Sequence, residues 1–162
     1  MRRATLGTTA FFFAAPGTVA GLVPWLLTHW DRPAGGLRVA DVLGGGLVAI
    51  GLAVVIAAFA QFVREGRGTP APIAPTEQLV VGGLYRYVRN PMYLAVAAVI
   101  GGQALIFESS AVLVWLLGFM VLVLAFVTAY EQPTLRRTYG AGYEAYCDAV
   151  PGWWPRLTPW RG

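Results

Sequence analysis

The sequence predicts an all-α integral membrane protein, with about four transmembrane helices followed by a C-terminal amphipathic helix at the interface. Three observations predict this class. Hydrophobic residues make up 57% of the 162 positions and charged residues 12%, against about 25% charged residues in a soluble domain. Apolar stretches near bilayer length recur, separated by polar breaks. When those stretches are threaded back and forth, ten arginines fall on one side and two on the other, the bias expected of cytoplasmic loops.

The length suits a single membrane domain over residues 1–162. The net charge is +4, from twelve basic residues, all arginine, against eight acids. Mean hydropathy is +0.59. Cys147 is the lone cysteine and His29 the lone histidine, so no internal disulfide forms and no zinc site is expected from the pair.

The first predicted span covers residues 6–28, a length of about 35 Å as a helix. Met1-Arg2-Arg3 ahead of it resembles a signal peptide, but the apolar run exceeds the ~7–15 residues of a signal core, which favours a retained span. Pro16, Gly17, Gly21 and Pro24 within it predict a kink. His29-Trp30 ends it with an interface-seeking indole. The second span, 42–63, opens on Gly44-Gly45-Gly46. No lysine or serine follows in P-loop order, so these glycines predict close helix packing in lipid. Arg64, Glu65, Arg67 and the proline-rich residues 69–75 then read as a non-helical linker.

The stretch GGLYRYVRNPMYL, residues 82–94, is a membrane-surface loop that feeds the third span, 92–107. Pro91 suits the first turn of a helix, where its missing N–H is not needed. Arg86 and Arg89 sit where their stems can snorkel to headgroups. Glu108-Ser109-Ser110 makes a tight turn into the fourth span, 111–130. So short a connection forces an antiparallel hairpin. The inner ends of the hairpin therefore bring Arg89–Tyr93 to the same side as Tyr130-Glu131-Gln132.

With four spans both termini are cytoplasmic, and the bacterial inner membrane is the expected location. Arg2, Arg3, Arg64, Arg67, Arg86, Arg89, Arg136, Arg137, Arg156 and Arg161 share that side, opposite Arg32 and Arg38. Beyond Pro133 the stripe Leu135, Tyr139, Tyr143, Tyr146 and Val150 predicts an amphipathic helix over residues 133–149, placed as a lid. Trp153, Trp154 and Trp160, among prolines and Arg156, read as an interfacial anchor. Beside a bilayer this pattern does not indicate nucleic acid. No Rossmann glycine fingerprint and no Ser/His/Asp grouping is present.

What remains is a polar constellation at the inner ends of spans three and four: Tyr85, Arg89, Asn90, Tyr93 and Glu131, with Gln132 beside it. A carboxylate at the hydrocarbon edge is costly unless partnered. Two readings stay open: Glu131 clamps Arg89 structurally, or Glu131 meets a ligand such as ribose hydroxyls or an ammonium group.

Residues 76–156 resemble the isoprenylcysteine carboxyl methyltransferase family and its phospholipid N-methyltransferase relatives. The resemblance rests on GLYRYVRNPMYLA (83–95), YEQPTLRRTYGAGYEAY (130–146) and VPGWWPR (150–156), in that order and spacing. It implies a methyltransferase that uses S-adenosylmethionine and acts on a lipophilic or membrane-embedded carboxylate, thiol or amine. The cofactor contacts it implies are Glu77, Gln78, Leu79, Val80, Tyr85, Asn90, Pro91, Met92, Tyr93 and Glu131. Arg89 and Glu131 are the candidate catalytic residues; Arg89 would orient an anionic acceptor or bind lipid phosphate. Three departures bear on the acceptor. Asn90 replaces a common histidine and cannot exchange a proton near neutral pH. Gln132 replaces a second glutamate. Val127 stands where eukaryotic members place a substrate-facing arginine, which puts a prenylcysteine carboxylate in doubt. The competing readings are an NADPH-dependent membrane reductase of sterol-reductase-like architecture and a non-catalytic scaffold. The oligomeric state is not encoded legibly.

Overall fold

The computed structural model describes residues 15–65 and 79–161. Among them all regular structure is helical: α1 (Ala15–Thr28), α2 (Val39–Glu65), α3 (Pro91–Ile106), α4 (Ser110–Tyr139) and α5 (Ala141–Ala149), with a single 3-10 turn at Gly83–Arg86 before α3. The start of the predicted first span and the proline-rich linker lie outside the described residues.

Two helices are long and apolar enough to cross a bilayer: Val39–Gln61 within α2, with mean hydropathy 2.5, and Ser110–Tyr139, with 2.7. Only 22% and 17% of their apolar windows are buried inside the protein. Leu43, Ile50, Ile56, Val114, Val121 and Leu122 face outward, each more than half exposed. Such a surface is stable against lipid and not against water. α3 is shorter, at 16 residues, about 24 Å long.

α3 lies between α2 and α4, and its contact with α2 is the most extensive in the protein. Gly44 on α2 and Gly102 on α3 set the spacing, since a Cβ on either would stand 2.5 Å from the other's carbonyl oxygen. Gly51 repeats the contact one stage along, against Ala95 and Val99. Without a hydrophobic drive between helices in lipid, close backbone approach is what holds such a pair. Of the three consecutive glycines only Gly44 serves it; Gly45 and Gly46 face open space. On the other side of α3, Val96 and Ile100 meet Val112, Phe119, Val123 and Val127 of α4 in the main core.

α1 crosses this layer and carries one wide turn, Thr18–Leu22, at the place where the prolines and glycines predict a kink. Pro24 has no N–H for the Ala20 carbonyl four residues back. Gln103 Nε2 donates to that carbonyl at 2.7 Å, and Trp115 Nε1 donates to the Val19 carbonyl at 2.9 Å. Polar side chains on two apolar helices thus satisfy backbone groups that lipid cannot.

At the end that holds the Glu108 turn, the outer end of the expected topology, Arg38 ties three elements together. It pairs with Asp41 at 2.7 Å and Glu108 at 2.5 Å, and donates to the Ile106 carbonyl at 2.9 Å. The hairpin turn reverses at Glu108, whose φ is 47°, and Ser109 caps α4 by accepting from the Val112 N–H at 3.3 Å.

The inner end departs from the predicted boundaries. α4 does not stop at Tyr130 but runs on to Tyr139 through a wide turn, Val127–Glu131. Pro133 explains this turn. It offers no N–H to Ala129, and the Gln132 N–H reaches back to the Val127 carbonyl five residues earlier instead. The predicted 133–149 helix is accordingly two pieces. They meet at Gly140, whose φ of 54° suits glycine.

Candidate functional site

Four segments converge at the inner end: the loop before α3, the first turn of α3, the wide turn of α4, and α5 with the strap that follows it. The Tyr139, Tyr143, Tyr146 and Val150 stripe packs as its spacing predicts, against Leu79, Leu135 and Trp160. Tyr146 Oη donates to the Tyr85 carbonyl at 2.7 Å, which joins α5 to the loop. The strap then runs back along that loop. Arg89 N–H donates to the Pro151 carbonyl at 2.9 Å, Arg156 N–H to Tyr87 at 3.0 Å, and Trp160 N–H to Arg86 at 3.0 Å. Asn90 Nδ2 adds a bond to the Gly152 carbonyl at 3.1 Å.

These segments enclose a chamber of about 80 Å³. Leu79, Val80, Tyr85, Arg89 and Asn90 line it from the loop; Val127, Glu131, Gln132, Leu135 and Tyr139 from α4; Tyr143 and Tyr146 from α5. The wide turn keeps Val127, Glu131 and Leu135, four apart, on one wall. A smaller recess adjoins the chamber, shares Tyr85, Arg89, Asn90 and Glu131 with it, and adds Pro91, Met92 and Tyr93.

Every described residue of the predicted constellation is therefore present at one place. Glu77 and Gln78 lie outside the described residues. Leu79 and Val80 line the chamber, while Pro91, Met92 and Tyr93 line the recess alone.

The charges do not pair as the clamp reading expects. Glu131 Oε2 accepts from Tyr93 Oη at 2.8 Å. Arg89 Nη1 donates to Cys147 Sγ at 2.7 Å, and its buried Nε has no hydrogen-bond partner among the described residues. Among the described residues the ion pairs are Arg32–Asp41, Arg38–Asp41 and Arg38–Glu108, all at the outer end. An acid and a cation thus face one chamber, each bonded within the protein to a neutral partner. Arg86 is exposed and suited to headgroups, whereas Arg89 is folded inward under the strap.

Burial pushes the Tyr85 and Tyr146 hydroxyls well above the ordinary phenol range. Tyr143 is pushed up to about 12, first by burial and then by its contact with Cys147. These groups stay neutral donors at physiological pH.

Sequence reasoning missed Cys147, weighed only for a disulfide and a zinc site, and Gly152. No periodic signal marks Gly152; its place follows from the strap. A Cβ there would stand 3.3 Å from Arg89 Nη2 and 3.6 Å from Asn90 Nδ2.

Comparison with curated proteins and with solved structures returned no match. A family model described as phospholipid methyltransferase matches residues 39–142, from the start of α2 to the start of α5, and so takes in the loop and α4 walls of the chamber. The chain belongs to the phospholipid methyltransferase family, membrane enzymes that use S-adenosylmethionine to methylate lipid-type acceptors.

Proposed function

We propose that the inner-end chamber is the methyl-donor site of an isoprenylcysteine carboxyl methyltransferase-like branch of this family, working at the cytoplasmic face of a four-span protein. The observation that carries this reading is a charge couple left unpaired among the described residues. Glu131 and Arg89 line the same chamber, and each is bonded to a neutral neighbour. A buried charge left so is costly unless a ligand completes it. S-adenosylmethionine bears a cationic sulfonium and ammonium and an anionic carboxylate, so its charges match the couple. The polyanion NADPH would bring phosphates against Glu131.

The donor set fits the cofactor chemically. Glu131 would hold the cationic part and Arg89 the carboxylate, since both side chains line the chamber. The bound cofactor supplies an electrophilic methyl group. The chain supplies alignment and dryness. Tyr93 fixes the Glu131 carboxylate, and Tyr85, Tyr143 and Tyr146, all buried, exclude water. Asn90 holds the strap through Gly152, so the departure from histidine exchanges proton transfer for a structural bond. A carboxylate or thiolate acceptor needs no base. An amine acceptor loses its proton to Glu131 or to solvent. Val127 is fully buried in the chamber wall and offers no cation to a prenylcysteine carboxylate.

The four-span topology, with both termini cytoplasmic, is supported by the arginine distribution and by the Arg38 cluster that gathers the two outer loops. The test is calorimetry of the detergent-purified protein against S-adenosylmethionine, S-adenosylhomocysteine and NADPH. The two sulfur ligands bind, and Glu131→Gln weakens S-adenosylmethionine by about ten- to hundredfold, the value of a charged hydrogen bond. Tight NADPH binding with neither sulfur ligand engaging would refute the assignment.

A further inference from the structure

Arg89 reaches the chamber from the loop before α3 on a long, flexible side chain. Freezing such a side chain at the moment of binding costs rotamer freedom, so a guanidinium held beforehand binds an anion better. Three contacts hold this one. Its backbone N–H donates to the Pro151 carbonyl at 2.9 Å. Nη1 donates to Cys147 Sγ at 2.7 Å. Nη2 lies against Gly152, where a Cβ would stand 3.3 Å away. Tyr143, one turn before Cys147 on the same face of α5, interacts with both the thiol and the guanidinium. The guanidinium is thus wedged between α5 and the strap.

Cys147 acts from behind the wall. Arg89 and Tyr143 line the chamber, and Cys147 does not. Its chemistry suits that place. Sulfur is a weak acceptor, so it fixes the direction of the guanidinium and leaves the positive charge available to a ligand. A carboxylate in the same position would form a charge-assisted pair with Arg89 and satisfy it. The ion pairs among the described residues all lie at the Arg38 end instead. We propose that Cys147 is the positioning residue for Arg89, holding the guanidinium in the chamber wall, charged and directed at the carboxylate of the methyl donor. The inference rests on the chamber being the methyl-donor site. Cys147 touches neither cofactor nor acceptor and works only through Arg89.

The test is calorimetry of the full chain in detergent against two ligands, S-adenosylmethionine and its decarboxylated form, which keeps the sulfonium and ammonium and lacks the carboxylate. Cys147→Ala weakens S-adenosylmethionine about three- to tenfold, the value of one hydrogen bond, and leaves the decarboxylated ligand within about twofold. Cys147→Ser keeps S-adenosylmethionine within about twofold of wild type, because a hydroxyl accepts from the same donor. Cys147→Asp pairs with Arg89 and weakens S-adenosylmethionine by about tenfold or more, again sparing the decarboxylated ligand. In an Arg89→Ala background, Cys147→Ala adds nothing. Equal loss of both ligands in Cys147→Ala overturns the proposal, since Cys147 then only packs α5. So does S-adenosylmethionine affinity unchanged in both the alanine and the aspartate variants. Where Cys147→Ala fails to fold, the serine and aspartate variants decide: tight binding by the first and weak binding by the second uphold the proposal, and equal affinities overturn it. A wild-type protein that binds neither ligand refutes the chamber reading and this inference with it, whereas wild-type binding indifferent to Cys147 overturns the inference alone.

Discussion

Replacing Gly102 by alanine tests whether backbone contact between α2 and α3 holds the membrane layer together. The new Cβ would lie 2.5 Å from the Gly44 carbonyl oxygen, 2.8 Å from Val48 Cγ2 and 3.0 Å from the Val48 nitrogen. Two of these three atoms are backbone, so no side-chain rotation relieves the clash. Ordinary contact begins near 3.4 Å, and the helices must part locally by about 0.9 Å. Overpacking of this kind costs about 1–3 kcal/mol, a fall of several degrees in unfolding temperature for a chain of this size. Gly46→Ala is the matched control: it faces open space, and alanine's helix propensity favours it by up to about 1 kcal/mol. Thermal unfolding in detergent, followed by tryptophan fluorescence, reads both variants. Equal midpoints, or a Gly102→Ala protein more stable than wild type, would refute the reasoning.

Three further outcomes follow from the geometry. Gly152→Ala places a methyl 3.3 Å from Arg89 Nη2; S-adenosylmethionine affinity should fall about three- to tenfold with the fold retained, and unchanged affinity in calorimetry would separate the strap from the site. Arg38→Ala should lower the unfolding temperature more than Arg32→Ala, because Arg38 joins Asp41, Glu108 and the Ile106 carbonyl while Arg32 is half exposed and pairs with Asp41 alone; equal shifts would contradict Arg38's role as the tie between these elements. Tyr143 and Tyr146 have folded-state pKa values raised above the ordinary 10.0, so the stability they add is present below pH 10 and lost as pH rises toward about 12. Phenolate absorbance and loss of α5 helicity should rise together over that window, and ionisation of all tyrosines near pH 10 with the helix intact would oppose it.

The hairpin of α3 and α4 was legible because a three-residue turn, Glu108-Ser109-Ser110, leaves the chain no other path, and the same connectivity gathered Tyr93 and Glu131. The tyrosine stripe was legible from its helical spacing. Three features were not. Pro133 reads as a helix stop, yet a wide turn absorbs it and α4 continues. Gly140 gave no periodic signal, because the stripe of Leu135, Tyr139, Tyr143 and Tyr146 stays in phase across the break. The partner of Glu131 depended on side-chain reach: Arg89 and Tyr93 stand on either side of the same turn, and the strap draws Arg89 toward Cys147 while Tyr93 turns to the acid. The strap itself is joined largely through backbone groups, which carry no residue-type signature.

Direct ultraviolet cross-linking of methyl-labelled S-adenosylmethionine to the purified protein, with the labelled peptides sequenced, addresses the chamber itself. Label is expected between Leu79 and Tyr93 or between Val127 and Tyr146, removed by excess S-adenosylhomocysteine and strongly reduced in Glu131→Gln. Label confined to α1 or to the outer-end Arg38 cluster would place the methyl donor elsewhere and contradict the account.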